Sequence, residues 1–258
     1  MVAPNPSPLP RPQGGIRTGR ILQTVLSVAI LVATLFTGFS PRMFSGNFSS
    51  LLAMLATPQP EAGVAVPTSQ TILRVGIVSG HWGNDSGSVC ANGTTEQQVN
   101  LVIASLVRQK LEAQGYTVDL LQEFDPRLNG YKAAVLLSIH NDSCDYINEQ
   151  ATGFKVASAL ACRDQNLCDR LTACIRDRYG RVTGLPFHAG SITVDMTDYH
   201  AYREIDPATT AAIIEAGFLN KDYDILTQHP DVISDGIVAG IMCFVKNENV
   251  APTAAPTQ

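Results

Sequence analysis

The chain has 258 residues, 45% of them hydrophobic and 16% charged, with a formal net charge of −5. That apolar content excludes a disordered chain, and the length holds one sizeable core with residues to spare. From residue 71 onward there are 14 basic and 22 acidic residues; so acidic a body excludes binding along a phosphate backbone, and no nucleic-acid partner is expected.

Residues 1–20 carry Arg11, Arg17 and Arg20 among prolines and glycines, with no acid, and read as a disordered cytoplasmic tail. Between Arg20 and Arg42 lie 21 uncharged residues. Within them, residues 21–39 (ILQTVLSVAILVATLFTGF) match the roughly 20 apolar residues of a transmembrane anchor. The arginines before the span put the N-terminus in the cytoplasm and the body outside a single-pass cell membrane anchor. A cleaved signal segment, leaving a secreted body, is the rival reading, although such apolar regions run only about 7–15 residues. A buried core helix is the third. Residues 40–70, rich in Pro and small side chains, read as a linker, and 247–258 as a second disordered tail. The globular domain is then 71–246.

That domain opens with an Ile- and Val-rich run at 72–79, a buried strand, followed by a Gly-containing loop at 80–93. Thr95 and Gln98 form a capping box for a helix whose apolar positions are Val99, Val102, Ile103, Leu106, Val107 and Leu111. Gly115 ends that helix. Strands are expected at 116–121 and 133–139, with an edge strand at 152–159. A helix is expected at 164–179, a buried strand at 211–216 (AAIIEA), a short helix at 222–228 and a last helix at 230–245. Alternating strands and helices make a three-layer α/β fold with a mainly parallel sheet, whose site lies beyond the C-terminal ends of the strands.

Four polar residues stand at such ends. His81 lies two residues past the first strand, His140 directly follows the third, and Glu215 closes the AAII run. Glu96 sits in the first turn of the first helix. Two histidines and one glutamate from different elements, with a position left open, make a catalytic zinc set of His81, Glu96 and His140, and Glu215 would be the catalytic carboxylate. Singly each residue is ordinary. A histidine at a strand end is commonly structural, and a glutamate in a first turn commonly caps the helix dipole. Glu215 is less ordinary, because a carboxylate buried after an apolar strand needs a partner.

The segments Ser79-Gly80-His81-Trp82-Gly83, Thr95-Glu96-Gln97-Gln98-Val99-Asn100-Leu101, Ser138-Ile139-His140-Asn141-Asp142 and Ile214-Glu215-Ala216-Gly217-Phe218-Leu219-Asn220 resemble the zinc-dependent N-acetylmuramoyl-L-alanine amidases over residues 72–246. The resemblance implies a sheet of about six strands with helices on both faces. It implies Zn2+ on His81, Glu96 and His140, with Glu215 as the catalytic carboxylate. It also implies hydrolysis of the amide between the lactyl group of N-acetylmuramic acid and L-alanine in peptidoglycan. The chain departs from the family at its usual D-P-G-H-G-G opening, where Ser79 replaces the Pro-bearing turn. It departs again after the second strand, where the segment Leu120-Leu121-Gln122-Glu123-Phe124-Asp125 lacks the family's frequent Arg. Residues 191–204 match nothing in the family pattern. Within and near them, His188 and His200 are candidates for further site residues, and Asp195 and Tyr199 for the groove lining.

If the His81 and His140 loops meet at one metal, Cys90 and Cys144, one in each loop, are a candidate disulfide in an exported protein. A pair among Cys162, Cys168 and Cys174 is a second candidate, with its connectivity open. Two other functions stay open on these residues. One is a different zinc amidohydrolase or carboxypeptidase acting on N-acyl amino acids or peptides. The other is a non-catalytic, amidase-like module that binds peptidoglycan.

Overall fold

A computed structural model describes residues 73–160 and 162–250. The expected tail, anchor and linker at 1–20, 21–39 and 40–70 lie outside the described residues, as does most of the C-terminal tail. Among the described residues no helix is long and apolar enough to cross a membrane.

Five strands form one sheet in the order β2-β1-β3-β5-β4. They are β1 (Arg74–Ser79), β2 (Thr117–Leu121), β3 (Val135–Asp142), β4 (Lys155–Ser158) and β5 (Thr210–Phe218). All neighbours are parallel except β4 and β5, which pair antiparallel at the edge. The fold class is the expected α/β. The strand count corrects the expectation of about six to five among the described residues. Each strand named along the chain is present, and the described residues hold no additional strand of the kind the family resemblance implies.

Helices lie on both faces, but unequally. Alternate residues of the central strands point to opposite sides. Val75, Ile77, Leu137, Ile139, Ala212 and Ile214 face the three long helices α1 (Glu96–Glu112), α2 (Gln165–Thr183) and α6 (Pro230–Val245). Val78, Leu136, Ala211 and Ile213 face a smaller cluster. Its cover includes two single-turn helices, α3 (Val194–Thr197) and α4 (Ala201–Glu204). The segment 191–204 is therefore a lid of short turns over the second face. A last short helix, α5 (Tyr223–Gln228), precedes α6.

Local chemistry explains the element ends. The Thr95–Gln98 capping box is formed, with the Thr95 side chain accepting from Gln98 N–H. α2 runs one turn past its expected end and stops at Gly184, whose φ of +73° is a left-handed cap. On α6, Gly236 and Gly240 stand one turn apart against α2. A Cβ on Gly240 would come within 2.7 Å of the Ile175 backbone. The close approach of these helices is fastened by a buried Cys174–Cys243 disulfide. That bond lies outside the pairs considered from the sequence. Cys162–Cys168 is the pair formed within the Cys162, Cys168 and Cys174 group. One apolar position departs from its expected face: Val102 is half exposed, on the side of α1 away from the sheet.

Candidate metal centre

The three ligand candidates arrive from three elements and converge. His81 follows β1 by two residues in a left-handed conformation, φ +65°, which is uncommon for a residue with a Cβ and marks a position held by its surroundings. Glu96 is the first residue of α1, just inside the Thr95 cap. His140 lies near the C-terminal end of β3. One donor atom from each falls within 4.8 Å of the others. His81 Nε2 is 3.1 Å and His140 Nδ1 3.3 Å from the same oxygen, Glu96 Oε1.

Glycines make room for this. A Cβ on Gly80 would lie 2.4 Å from the His140 ring, and one on Gly87 2.6 Å from Glu96 Oε2. Only residues without a side chain let the loop pass so close to the ligands. Below the site, buried Asn100 donates to the Gly80 carbonyl (3.2 Å) and Glu96 Oε1 (3.3 Å), and accepts from Asn141 (2.7 Å). Glu96 Oε2 accepts the Ser88 N–H at 3.1 Å.

The expected Cys90–Cys144 disulfide is present and ties the loop after β1 to the loop after β3. The Cys144 N–H also donates to Ser88 Oγ (2.9 Å), and Asn220 donates to the Cys144 carbonyl (2.9 Å). The loop that carries His81, the loop that follows the strand of His140 and the segment after β5 are therefore joined to one another.

The electrostatics follow from packing carboxylates against imidazoles. The hydrogen bond that His81 donates to Glu96 raises the His81 pKa to about 9. Burial opposes ionisation of Glu96, but hydrogen bonds from His140 and His81 outweigh it and hold the carboxyl below the usual carboxylate range. Burial likewise disfavours a charged His140, and Glu96, Glu215 and Glu123 together still raise its pKa. Glu215 stands beside His140 in the β3–β5 register. Its Oε2 is buried without a hydrogen-bond partner among the described residues, and burial pushes its pKa up to about 7.

The other candidates divide. Tyr199 and His200 reach the site through Glu123, donating to its Oε1 at 2.6 Å and 2.9 Å, and Tyr199 places its ring 5.6 Å from that of His140. His188 instead pairs with Ser191 Oγ (2.6 Å) and packs on Phe218. Asp195 is exposed and makes no hydrogen bond to these residues. Glu123 itself was outside the sequence-based candidates. It lies two residues past β2 as His81 lies two past β1, so the strand-end rule that selects His81 also selects Glu123.

Two imidazoles and a carboxylate from separate elements, clustered at the C-terminal ends of the strands of a mainly parallel α/β sheet with the buried Glu215 carboxylate alongside, form a group that could hold a metal ion. The comparisons place the chain more closely. A family model described as N-acetylmuramoyl-L-alanine amidase matches residues 75–243 of the 258, and the chain belongs to that family. Its enzyme class is accordingly an amidase hydrolysing a linear amide of peptidoglycan.

Solved structures share the fold. The amidase Ami1 of Mycobacterium smegmatis is 17% identical with a TM-score of 0.57, over 68% of this chain and 98% of that one. An N-acetylmuramoyl-L-alanine amidase of Clostridium difficile 630 is 21% identical with a TM-score of 0.55, over 69% and 98%. The CwlD amidase of Clostridioides difficile, solved in complex with the GerS lipoprotein, is 21% identical with a TM-score of 0.52, over 68% and 100%. A search of curated proteins finds no match.

Proposed function

We propose that the chain is a zinc-dependent amidase that cleaves the bond between the lactyl group of N-acetylmuramic acid and L-alanine of peptidoglycan stem peptides. The observation that carries this reading is the convergence of His81, Glu96 and His140 on one point, with Glu215 in register beside His140.

The residues suit the ion. Two neutral imidazoles and one carboxylate are a zinc-type donor set that leaves the site net positive and one position free. When bound, zinc supplies Lewis acidity towards the scissile carbonyl and towards water. His81, Glu96 and His140 hold it. Glu215 takes the proton of the attacking water at its carboxylate and returns it to the leaving nitrogen of L-alanine as the C–N bond breaks. Burial raises the pKa of Glu215 above the ordinary carboxylate range, towards the neutral range in which a general base and acid works best.

For the architecture, the reading is a catalytic domain over 71–246 held outside the membrane by the 21–39 segment, with its N-terminus in the cytoplasm. Three disulfides favour an oxidising compartment, and the arginines before the span favour that orientation. Peptidoglycan is the partner, and no nucleic acid is expected.

The test is digestion of purified peptidoglycan by the full chain, produced in an oxidising compartment, with products read by mass spectrometry. Free stem peptides beginning with L-alanine, lost on chelation and regained with zinc, are the expected result. Fully folded, zinc-loaded protein that releases no such peptides would overturn the substrate assignment and turn attention to N-acyl amino acids.

A further inference from the structure

The buried residue that the proposed reaction leaves unused is Glu123. It is 5% exposed and joins four parts of the molecule. Its Oε2 accepts the backbone N–H of His81 at 2.6 Å, and its Oε1 accepts from Tyr199 Oη (2.6 Å) and His200 Nε2 (2.9 Å). Its own N–H donates to the carbonyl of Trp82 (3.0 Å). It stays outside the cluster of three ligand candidates.

A further neighbour is His140. The two ring nitrogens of His140 face different carboxylates. Nδ1 is 3.3 Å from Glu96 Oε1, and Nε2 is 3.5 Å from Glu123 Oε2. His140 Nε2 is buried and has no hydrogen-bond partner among the described residues. Leaving a buried donor without a partner is costly. The Glu123 oxygen that faces it at 3.5 Å is the one that already accepts from the His81 backbone. Shortening that 3.5 Å separation by a few tenths of an ångström would bring it within the ordinary range of an N–H···O hydrogen bond.

We propose that Glu123 is a positioning residue of the metal centre: through Oε2 it takes the Nε2–H of His140 and the N–H of His81, and so sets the tautomer of one ligand and the strained backbone of the other. A proton kept on Nε2 leaves the lone pair of Nδ1 for the metal, on the Glu96 side. The same carboxylate holds His81 in its left-handed turn. Tyr199 and His200 anchor the other oxygen of Glu123, so the short-helix lid at 191–204 is tied to the ligands through one carboxylate. In this chain that carboxylate occupies the segment after β2 where the family resemblance leads one to expect an Arg.

The inference rests on the zinc reading above, and the order of measurement separates the two. Zinc affinity of the parent full chain is measured first, by competition with a chelator. A parent that binds no zinc overturns the metal reading and this inference with it. Given a zinc-binding parent, Glu123→Gln should lower zinc affinity by about 10–100-fold, the usual effect of removing such a partner. It should lower kcat with KM within about twofold, and move the visible absorption bands of the cobalt(II)-substituted protein.

Unchanged affinity and an unchanged cobalt spectrum in folded Glu123→Gln would overturn the proposal. So would a loss of affinity that merely follows a fall in melting temperature of the metal-free protein. If Glu123→Gln does not fold, Tyr199→Phe and His200→Asn, which each remove one donor to Glu123, take its place. Each should weaken zinc binding about threefold or more and shift the cobalt bands, and parent-like values in both would overturn the proposal.

Discussion

Glu215 and His140 stand opposite each other on neighbouring parallel strands, so the proposed base and one proposed ligand are spaced by the sheet itself. This makes their roles separable. Glu215→Gln, nearly isosteric, should retain zinc and lose at least about a hundredfold in turnover, measured by release of stem peptides. His81→Ala or His140→Ala should lose metal and activity together, read by metal content after dialysis. Gly80→Ala should act first on His140, because the added Cβ lands 2.4 Å from its ring. Weaker zinc binding with an unchanged fold is the expected outcome, checked by chelator competition and circular dichroism. All four residues of the proposed site were readable as strand-end and helix-start positions. Glu123 was not singled out, because its significance depends on the His81 amide and the His140 ring meeting it from distant parts of the chain.

At the scale of elements, α2 and α6 approach closely because α6 carries Gly236 and Gly240 on the contacting face. An alanine at 240 gains up to about 1 kcal/mol of helix propensity, but its Cβ meets backbone at 2.7 Å, which cannot move away as a side chain can. Overpacking of that kind typically costs about 1–3 kcal/mol, so Gly240→Ala should be net destabilising, measured by urea unfolding.

The loop after β2 carries an acid-sensitive contact of its own. Arg127 holds the Asp125 carboxyl down to about 2 from its ordinary 3.8. A lowered pKa stabilises the fold above the ordinary value and loses that contribution as pH falls from about 3.8 to about 2. Asp125→Asn should flatten this part of the stability–pH curve. Helical periodicity located α1 but assigned Val102 to its apolar face, where the structure leaves that residue half exposed. The period marks an apolar stripe, and only the packing of α1 on the sheet and α6 decides how wide a stripe is covered.

For the whole molecule, the Cys90–Cys144 bond closes a long loop that includes α1, β2 and all of β3, and joins the loop that carries His81 to the loop that follows the strand of His140. Removing it as Cys90→Ser with Cys144→Ser should cost about 2–4 kcal/mol in stability and weaken zinc binding as well, checked by thermal unfolding with and without metal. The sequence by itself determined the α/β class and the order of the elements, and it offered the candidate ligands and, on the condition that they meet, the Cys90–Cys144 pair, because periodicity, capping and strand-end chemistry are local. Only the tertiary structure decided the five-stranded order with its antiparallel edge, the Cys174–Cys243 bond, the lid built from 191–204 and the reach of Glu123 to both histidines. Each of these joins residues far apart in the chain, and their meeting depends on strand register and helix packing rather than on any local run of sequence.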